Sequence, residues 1–214
     1  MKRPNVLLIL TDDQGWGDLS CKGNGNIRTP HIDRLASEGA DFDWFYVTPL
    51  CAPTRAEILT GRYYPRTGVR GVTRRAECLN LDEKTLGDVF KNGGYRTGYF
   101  GKWHSGSAYP YHPNGRGFDE FKGFCCGHWG HYFDSTLEHN GEEFKSAGYI
   151  TDYFAEAATE FIAEKGEEPF LCYLSFNVPH SPFQVPDEWF DRVREREIAQ
   201  RHRDPADEDI ETTK

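Results

Sequence analysis

Val6-Leu7-Leu8-Ile9-Leu10-Thr11-Asp12-Asp13 sets an unbroken apolar run against two adjacent carboxylates. A continuous run of this length, rather than an alternating one, predicts a strand covered on both faces, as in parallel sheets. It is too short to span a membrane. It is also too short for a leader's apolar region, and no small-residue cleavage site follows. The chain as given is therefore expected to be cytoplasmic, or periplasmic or secreted if a leader is missing. Paired carboxylates at a strand end suit a hard divalent cation such as Ca2+ or Mg2+, which takes oxygen ligands. A turn capped by Asp is the plainer alternative. An EF-hand loop is excluded, because Gly15 arrives too early.

Outward from this strand, helical and extended patterns alternate. Thr29-Pro30 opens a helix with Pro30 at its first position, Ile32, Leu35 and Ala36 facing inward, and Gly39 at its end. A second helix starts near Pro53 and runs to Gly61, and a third runs from about Lys84 to Gly93-Gly94. Tyr95 to Phe100 reads as a strand entering Gly101-Lys102-Trp103-His104. Residues 105–148, rich in Gly, Pro, His and aromatics, read as long loops with a short strand pair. Ile150 to Lys165 has helical spacing at Phe154, Ala157, Ala158, Phe161 and Ile162. Pro169 to Phe176 is a second buried strand, ending in Asn177-Val178-Pro179-His180. A charged helix over Pro186–Arg201 and an acidic tail over about 202–214 close the chain. This order predicts an α/β fold with a largely parallel sheet flanked by helices, whose site lies beyond the carboxyl ends of the strands. Three of those ends carry unusual polar groups: Asp12-Asp13, Lys102 with His104, and His180.

The bulk properties narrow the chemistry. The 214 residues are enough to bury a core, and an aromatic content of 14% argues against disorder. A net charge of −9 excludes nucleic acid as the main partner but leaves room for a small anion in a locally basic pocket. No stretch predicts membrane insertion. None of the six cysteines forms a Cys-x-x-Cys pair, which argues against a zinc ribbon and for mostly reduced thiols.

The candidate reactive groups follow from position. Cys51 precedes the proline-started helix, near free backbone N–H groups and the positive end of the helix dipole, where an anion is favoured. Arg55 in the first turn can reach back toward that anion. Lys102 and His104 alternate about Trp103 and so share a side; Lys suits an anionic oxygen and His an oriented proton. His180 follows the stiffening Pro179 and suits a general acid for a leaving alkoxide. His112, His128, His131 and His139 fall in the loop-rich region, as substrate-facing or solvated groups rather than a metal cluster that their spacing would compel.

At this point a resemblance emerges. Cys51-Ala52-Pro53-Thr54-Arg55 resembles the sulfatase signature Cys-x-Pro-Ser/Thr-Arg, with Thr54 in place of the commoner Ser. Ala56-Glu57-Ile58-Leu59-Thr60-Gly61-Arg62 is similar to its usual continuation. Pro4 to Asp13 resembles the family's first strand and metal-binding aspartates, and Gly101 to His104 and Pro179-His180 resemble two further motifs in the expected order. The resemblance implies an alkaline-phosphatase-like fold and a sulfuric ester hydrolase. It implies that a separate maturation enzyme converts Cys51 to formylglycine, that Arg55, Lys102, His104 and His180 are catalytic, and that Asp12, Asp13 and residue 51 hold Ca2+ or Mg2+. In that scheme the hydrated aldehyde attacks sulfur, His180 protonates the leaving oxygen, and His104 orients or deprotonates the diol.

The family's second metal-binding pair and a further Lys have no match after His180; Asp204, Asp207 and Asp209 follow no buried strand. The expectation is therefore the N-terminal part of a sulfatase catalytic domain over residues 1–214, with its metal site incomplete. The substrate class expected is a sulfated small molecule or carbohydrate. Alternatives are a phosphonate or phosphodiester hydrolase of the same superfamily, or a truncated, non-catalytic anion-binding chain.

Overall fold

Side-chain alternation along the strands builds two cores, one on each face of a sheet. The structure, a computed structural model, describes residues 3–164 and 166–199. In chain order the elements are β1 (Val6–Asp12), α1 (Pro30–Glu38), α2 (Cys51–Thr60), α3 (Leu86–Asn92), β2 (Arg96–Lys102), β3 (Glu120–Phe124), β4 (Thr136–His139), β5 (Glu142–Lys145), α4 (Ile150–Ala163), β6 (Phe170–Pro179) and α5 (Asp187–Arg194). The sheet order is β1-β6-β2-β3-β4-β5. β1, β6, β2 and β3 run parallel, and β4 and β5 add an antiparallel hairpin at one edge. The predicted α/β class, a mostly parallel sheet flanked by helices, is the class observed.

On β6, Cys172 and Leu174 point to one face, where Phe154, Ala157, Ala158 and Phe161 of α4 cover them together with Phe100. Leu171 and Tyr173 point to the other, against Tyr99, Phe118, Phe121 and Leu59 of α2, with Leu86 and Phe90 of α3 alongside. Phe154 is fully enclosed, and truncating such a residue to Ala costs about 3–5 kcal/mol. At the centre, Gly101 has φ +112, and a Cβ there would meet the Ser175 carbonyl oxygen at 1.9 Å. Only glycine lets β2 and β6 approach so closely at the sheet's carboxyl end.

The backbone divides into two compact units, Met1–Gln14 with Phe45–Val185, and Gly15–Trp44 with Pro186–Lys214. The first holds the whole sheet. The second contains α1 and α5 and is organised by polar contacts: Asp33 accepts from Ser20 Oγ at 2.6 Å, Thr29 Oγ1 at 2.9 Å and the Cys21 N–H at 3.0 Å, while Lys22 bridges Asp41 and Asp43.

Several sequence expectations change. β1 lies at the sheet edge with Leu7 and Ile9 half-exposed, so it is covered on one face rather than both. α1 has its expected Pro30 start and Gly39 end, but Ile32 and Leu35 are exposed, because the polar network rather than an apolar stripe fixes it. α2 begins at Cys51, not Pro53, with Leu50 in the N-cap position. The 105–148 stretch contains β3, a full member of the parallel sheet, besides the expected strand pair. α5 covers Asp187–Arg194 of the expected Pro186–Arg201; residues 200–201 and the acidic tail, with Asp204, Asp207 and Asp209, lie outside the described residues.

Candidate active site

β1, β6 and β2 are neighbours in the sheet, so their carboxyl ends bring Asp12, His180 and Lys102 into one region of the first unit. Asp12, the last residue of β1, is 4% exposed. Its Oδ2 accepts from Lys102 Nζ at 2.5 Å, and its Oδ1 lies 3.3 Å from a guanidinium nitrogen of Arg55. Burial acts to raise the Asp12 pKa, yet Arg55 and Lys102 outweigh it and hold the carboxyl below its ordinary value. Lys102 is pushed the opposite way to a simple salt-bridge lysine: burial first, and then Arg55, lower its pKa, while Asp12 and Cys51 act to raise it. The trio of two cations and one carboxylate therefore leaves about one positive charge without an internal partner, in a place where desolvation makes that costly.

Arg55 is turned into the fold. Its guanidinium donates to the Lys102 carbonyl at 2.9 Å and to Ser175 Oγ at 2.5 Å, and Ser175 Oγ donates in turn to the same carbonyl at 2.9 Å. Ser175, on β6, was not distinguished in the sequence; a small polar residue within an apolar strand was the available signal. Arg55 lies one turn after Cys51 on α2. Helix geometry leaves the N–H groups of Cys51 and Ala52 without intrahelical carbonyls, and Pro53 has none to offer.

His104 follows β2 with φ +58. Its Nε2 donates to the Val72 carbonyl at 2.8 Å, so Nδ1 carries the lone pair, and Nδ1 is buried without a hydrogen-bond partner. Burial lowers its pKa to about 4, which keeps it neutral near pH 7. A Cβ on Gly127 would strike the His104 ring at 2.2 Å, so Gly127 is what admits the ring. His180, just past β6, sits with Nδ1 2.7 Å from the Ser181 carbonyl and Nε2 3.7 Å from Asp13 Oδ2. Tyr132, 1% exposed, donates its hydroxyl to the carbonyls of His180 and Ser181, each at 2.8 Å. Nothing in the sequence flagged Tyr132 as the clamp on His180.

The candidate metal ligands are less convergent. The oxygen donors of Asp12 and Asp13 suit a hard cation, and Asp13 is exposed with φ +65. Both Asp12 oxygens already face cations, however, and Asp12, Asp13 and Cys51 do not bring three ligand atoms together. Among the described residues the trio that does is His112, Cys125 and Glu138, whose ligand atoms lie within 4.8 Å of one another and could hold a divalent metal. The histidines of the loop-rich region separate accordingly. His112 is buried beside Glu138, the His128 ring lies 5.7 Å from that of His180, and His139 faces Glu120. Trp103 and Tyr132 are core residues. All six cysteines are free thiols, and no described helix is long and apolar enough to cross a membrane.

Comparison with known proteins gives a consistent result. A sulfatase family profile matches residues 4–211. Arylsulfatase J of Mus musculus is 32% identical over 210 residues, covering 90% of this chain and 35% of its own length. The arylsulfatase of Klebsiella aerogenes is 32% identical over 216 residues, covering 90% of this chain and 46% of its own. The chain thus spans less than half the length of these relatives. A crystal structure of Ps i-CgsB in complex with k-i-k-neocarrahexaose superposes with a TM-score of 0.82 at 35% identity, over 90% of this chain and 49% of that one.

Proposed function

Since the chain belongs to the sulfatase family, we propose that its first unit carries the reacting centre of a sulfuric ester hydrolase built around Cys51. The observation that carries this reading is the buried Asp12–Lys102–Arg55 trio, with its unpaired positive charge, next to a helix that starts at Cys51. A tetrahedral oxyanion of sulfur supplies the charge that this arrangement lacks.

The residues divide the work. Lys102 uses one ammonium donor on Asp12 and retains two for sulfuryl oxygens. Arg55 holds Asp12, Ser175 and the Lys102 backbone in register, so we assign it a positioning role beneath the anion rather than direct contact with it. The N terminus of α2 favours negative charge at residue 51. Neutral His104 offers its Nδ1 lone pair to a hydroxyl there. His180, with Nδ1–H directed at the Ser181 carbonyl, presents Nε2; from Nε2 the leaving oxygen takes its proton as the S–O bond breaks. The balance is one ester and one water to one alcohol and one sulfate.

Formylglycine made from Cys51 by a maturation enzyme supplies, when hydrated, the attacking hydroxyl and a second one for release of sulfate. With donors from Asp12, Asp13 and residue 51, Ca2+ or Mg2+ would supply charge neutralisation at the sulfuryl oxygens, and Asp12 would exchange its contact to Lys102 or Arg55 for the ion. The likeness to a structure solved with a neocarrahexaose supports a sulfated carbohydrate as the substrate class.

Parallel turnover of an aryl sulfate and an aryl phosphodiester tests the proposal, using chain whose formylglycine content is established by peptide mass and with saturating calcium. Preferential sulfate hydrolysis that disappears in Cys51→Ala is the expected result. Preference for the diester replaces it with phosphodiester hydrolysis. No turnover of either, with residue 51 converted, makes this chain a non-catalytic anion binder.

A further inference from the structure

A second constellation gathers at the ends of β3 and β4. Cys125 follows β3 directly, Glu138 lies on β4, and His112 ends the loop before a 3-10 turn at Pro113–Arg116. Glu138 Oε1 is 2.9 Å from Cys125 Sγ and 3.3 Å from His112 Nε2. His112 is 7% exposed, and its Nε2 is buried with no hydrogen bond of good geometry. A cavity of about 220 Å³ opens alongside, lined by Ser107, Cys125, Cys126, Trp129, Glu138 and Glu143. Glu143 is directly opposite Glu138 across β4 and β5.

We propose that His112, Cys125 and Glu138 form a site for Zn2+ or a similar borderline-soft divalent ion, with a water from the adjoining cavity as fourth ligand. One imidazole, one thiolate and one carboxylate are donors that zinc accepts together. A thiolate and an imidazole are poor partners for Ca2+, so the site is distinct in chemistry from the oxygen donors of Asp12 and Asp13. Tetrahedral zinc with metal–ligand bonds of about 2.0–2.3 Å separates its donor atoms by roughly 3.3–3.6 Å. The His112–Glu138 distance already fits. Cys125 and Glu138 must part by about half an ångström, which an intervening cation brings about, since it removes the need for their mutual hydrogen bond. The Asn114 N–H contact to His112 Nδ1, at 3.3 Å, is at the weak end of the range and is given up when Nδ1 takes the proton.

The charge balance points the same way. One thiolate and one carboxylate balance one divalent ion, and binding expels the thiol proton. Such an ion would tie the end of β3 to β4 and to the 112 loop. Cys125 also accepts, through its carbonyl, the His104 N–H at 3.2 Å, so the site braces the backbone that carries His104.

The test is a Co2+ titration of the metal-free full chain, followed by thiolate-to-cobalt charge-transfer absorption, with Zn2+ added to displace the cobalt. One equivalent with a thiolate band is expected, abolished in Cys125→Ser, weakened at least about tenfold in Glu138→Gln, and retained in Cys51→Ala, Cys78→Ser and Cys126→Ser. A large excess of Ca2+ should leave the band in place. Absence of a thiolate band in the wild type, its persistence in Cys125→Ser, or its displacement by Ca2+ overturns the site. If Cys125→Ser does not fold by circular dichroism, Glu138→Gln decides, because it keeps side-chain shape and loses only the charge; unchanged cobalt affinity there also overturns it.

Discussion

Lys102 Nζ and Asp12 Oδ2 meet at 2.5 Å across β6, both almost sealed from solvent, although 90 residues separate them in the chain. Removing the carboxylate leaves Lys102 and Arg55 buried together. Asp12→Asn should therefore destabilise the fold by about 3–5 kcal/mol, read as a lower urea midpoint. Asp12→Asn together with Lys102→Met should recover part of that loss, because the pair leaves as a unit. A single-variant cost within 1 kcal/mol would mean that the pair is solvated.

The His104 pKa has a pH consequence whose sign is fixed by burial. Folding lowers it from 6.5 to about 4, so as pH falls the unfolded chain takes up the proton first. The stabilisation is complete above about pH 6.5 and is lost progressively toward pH 4, up to about 3 kcal/mol. His104→Gln should flatten this part of the stability–pH curve, measured by urea unfolding between pH 7.5 and 5. A slope equal to the wild type would show that His104 titrates normally.

Asp13 is exposed and Asp12 is not, so the two carboxylates separate metal affinity from folding. Asp13→Asn should change stability by no more than about 0.5 kcal/mol while raising the calcium concentration needed for half-maximal turnover. An unchanged calcium titration removes Asp13 from the metal site.

Tyr132 holds His180 through two backbone carbonyls. Tyr132→Phe should lower kcat by about tenfold, equivalent to about 1.4 kcal/mol, and leave the calcium titration as in the wild type. An unchanged kcat would show that the loop keeps His180 in place without the hydroxyl.

Gly127→Ala should displace the His104 ring, because the new methyl would lie 2.2 Å from Nε2. A loss of about 1–3 kcal/mol and of turnover is expected. Full activity would show that the 125–127 turn can shift outward.

The parts of the fold legible in the sequence were those announced locally. The apolar runs of β1 and β6, the 3.6-residue spacing of α4 and the glycine ends of α1 and α2 are properties of short segments, and they fixed an α/β class. β3 was not legible, since Glu120-Phe121-Lys122-Gly123-Phe124 alternates weakly and becomes a strand through pairing with β2. The exposure of Leu7 and Ile9 was equally hidden, because coverage of a strand depends on what packs against it.

For the site, sequence alone nominated Cys51, Arg55, Lys102, His104, His180 and the Asp12-Asp13 pair, because strand ends and helix starts are where such groups gather. What each nominated residue touches was decided by tertiary structure. Parallel pairing of β1, β6 and β2 put Asp12 against Lys102, turned Arg55 inward to Ser175, and set Tyr132 over the His180 carbonyl. Antiparallel pairing of β3 with β4 brought Cys125 and Glu138 together, and the preceding loop added His112. Contacts between groups tens of residues apart are set by sheet register and close packing, and no local pattern along the chain encodes them.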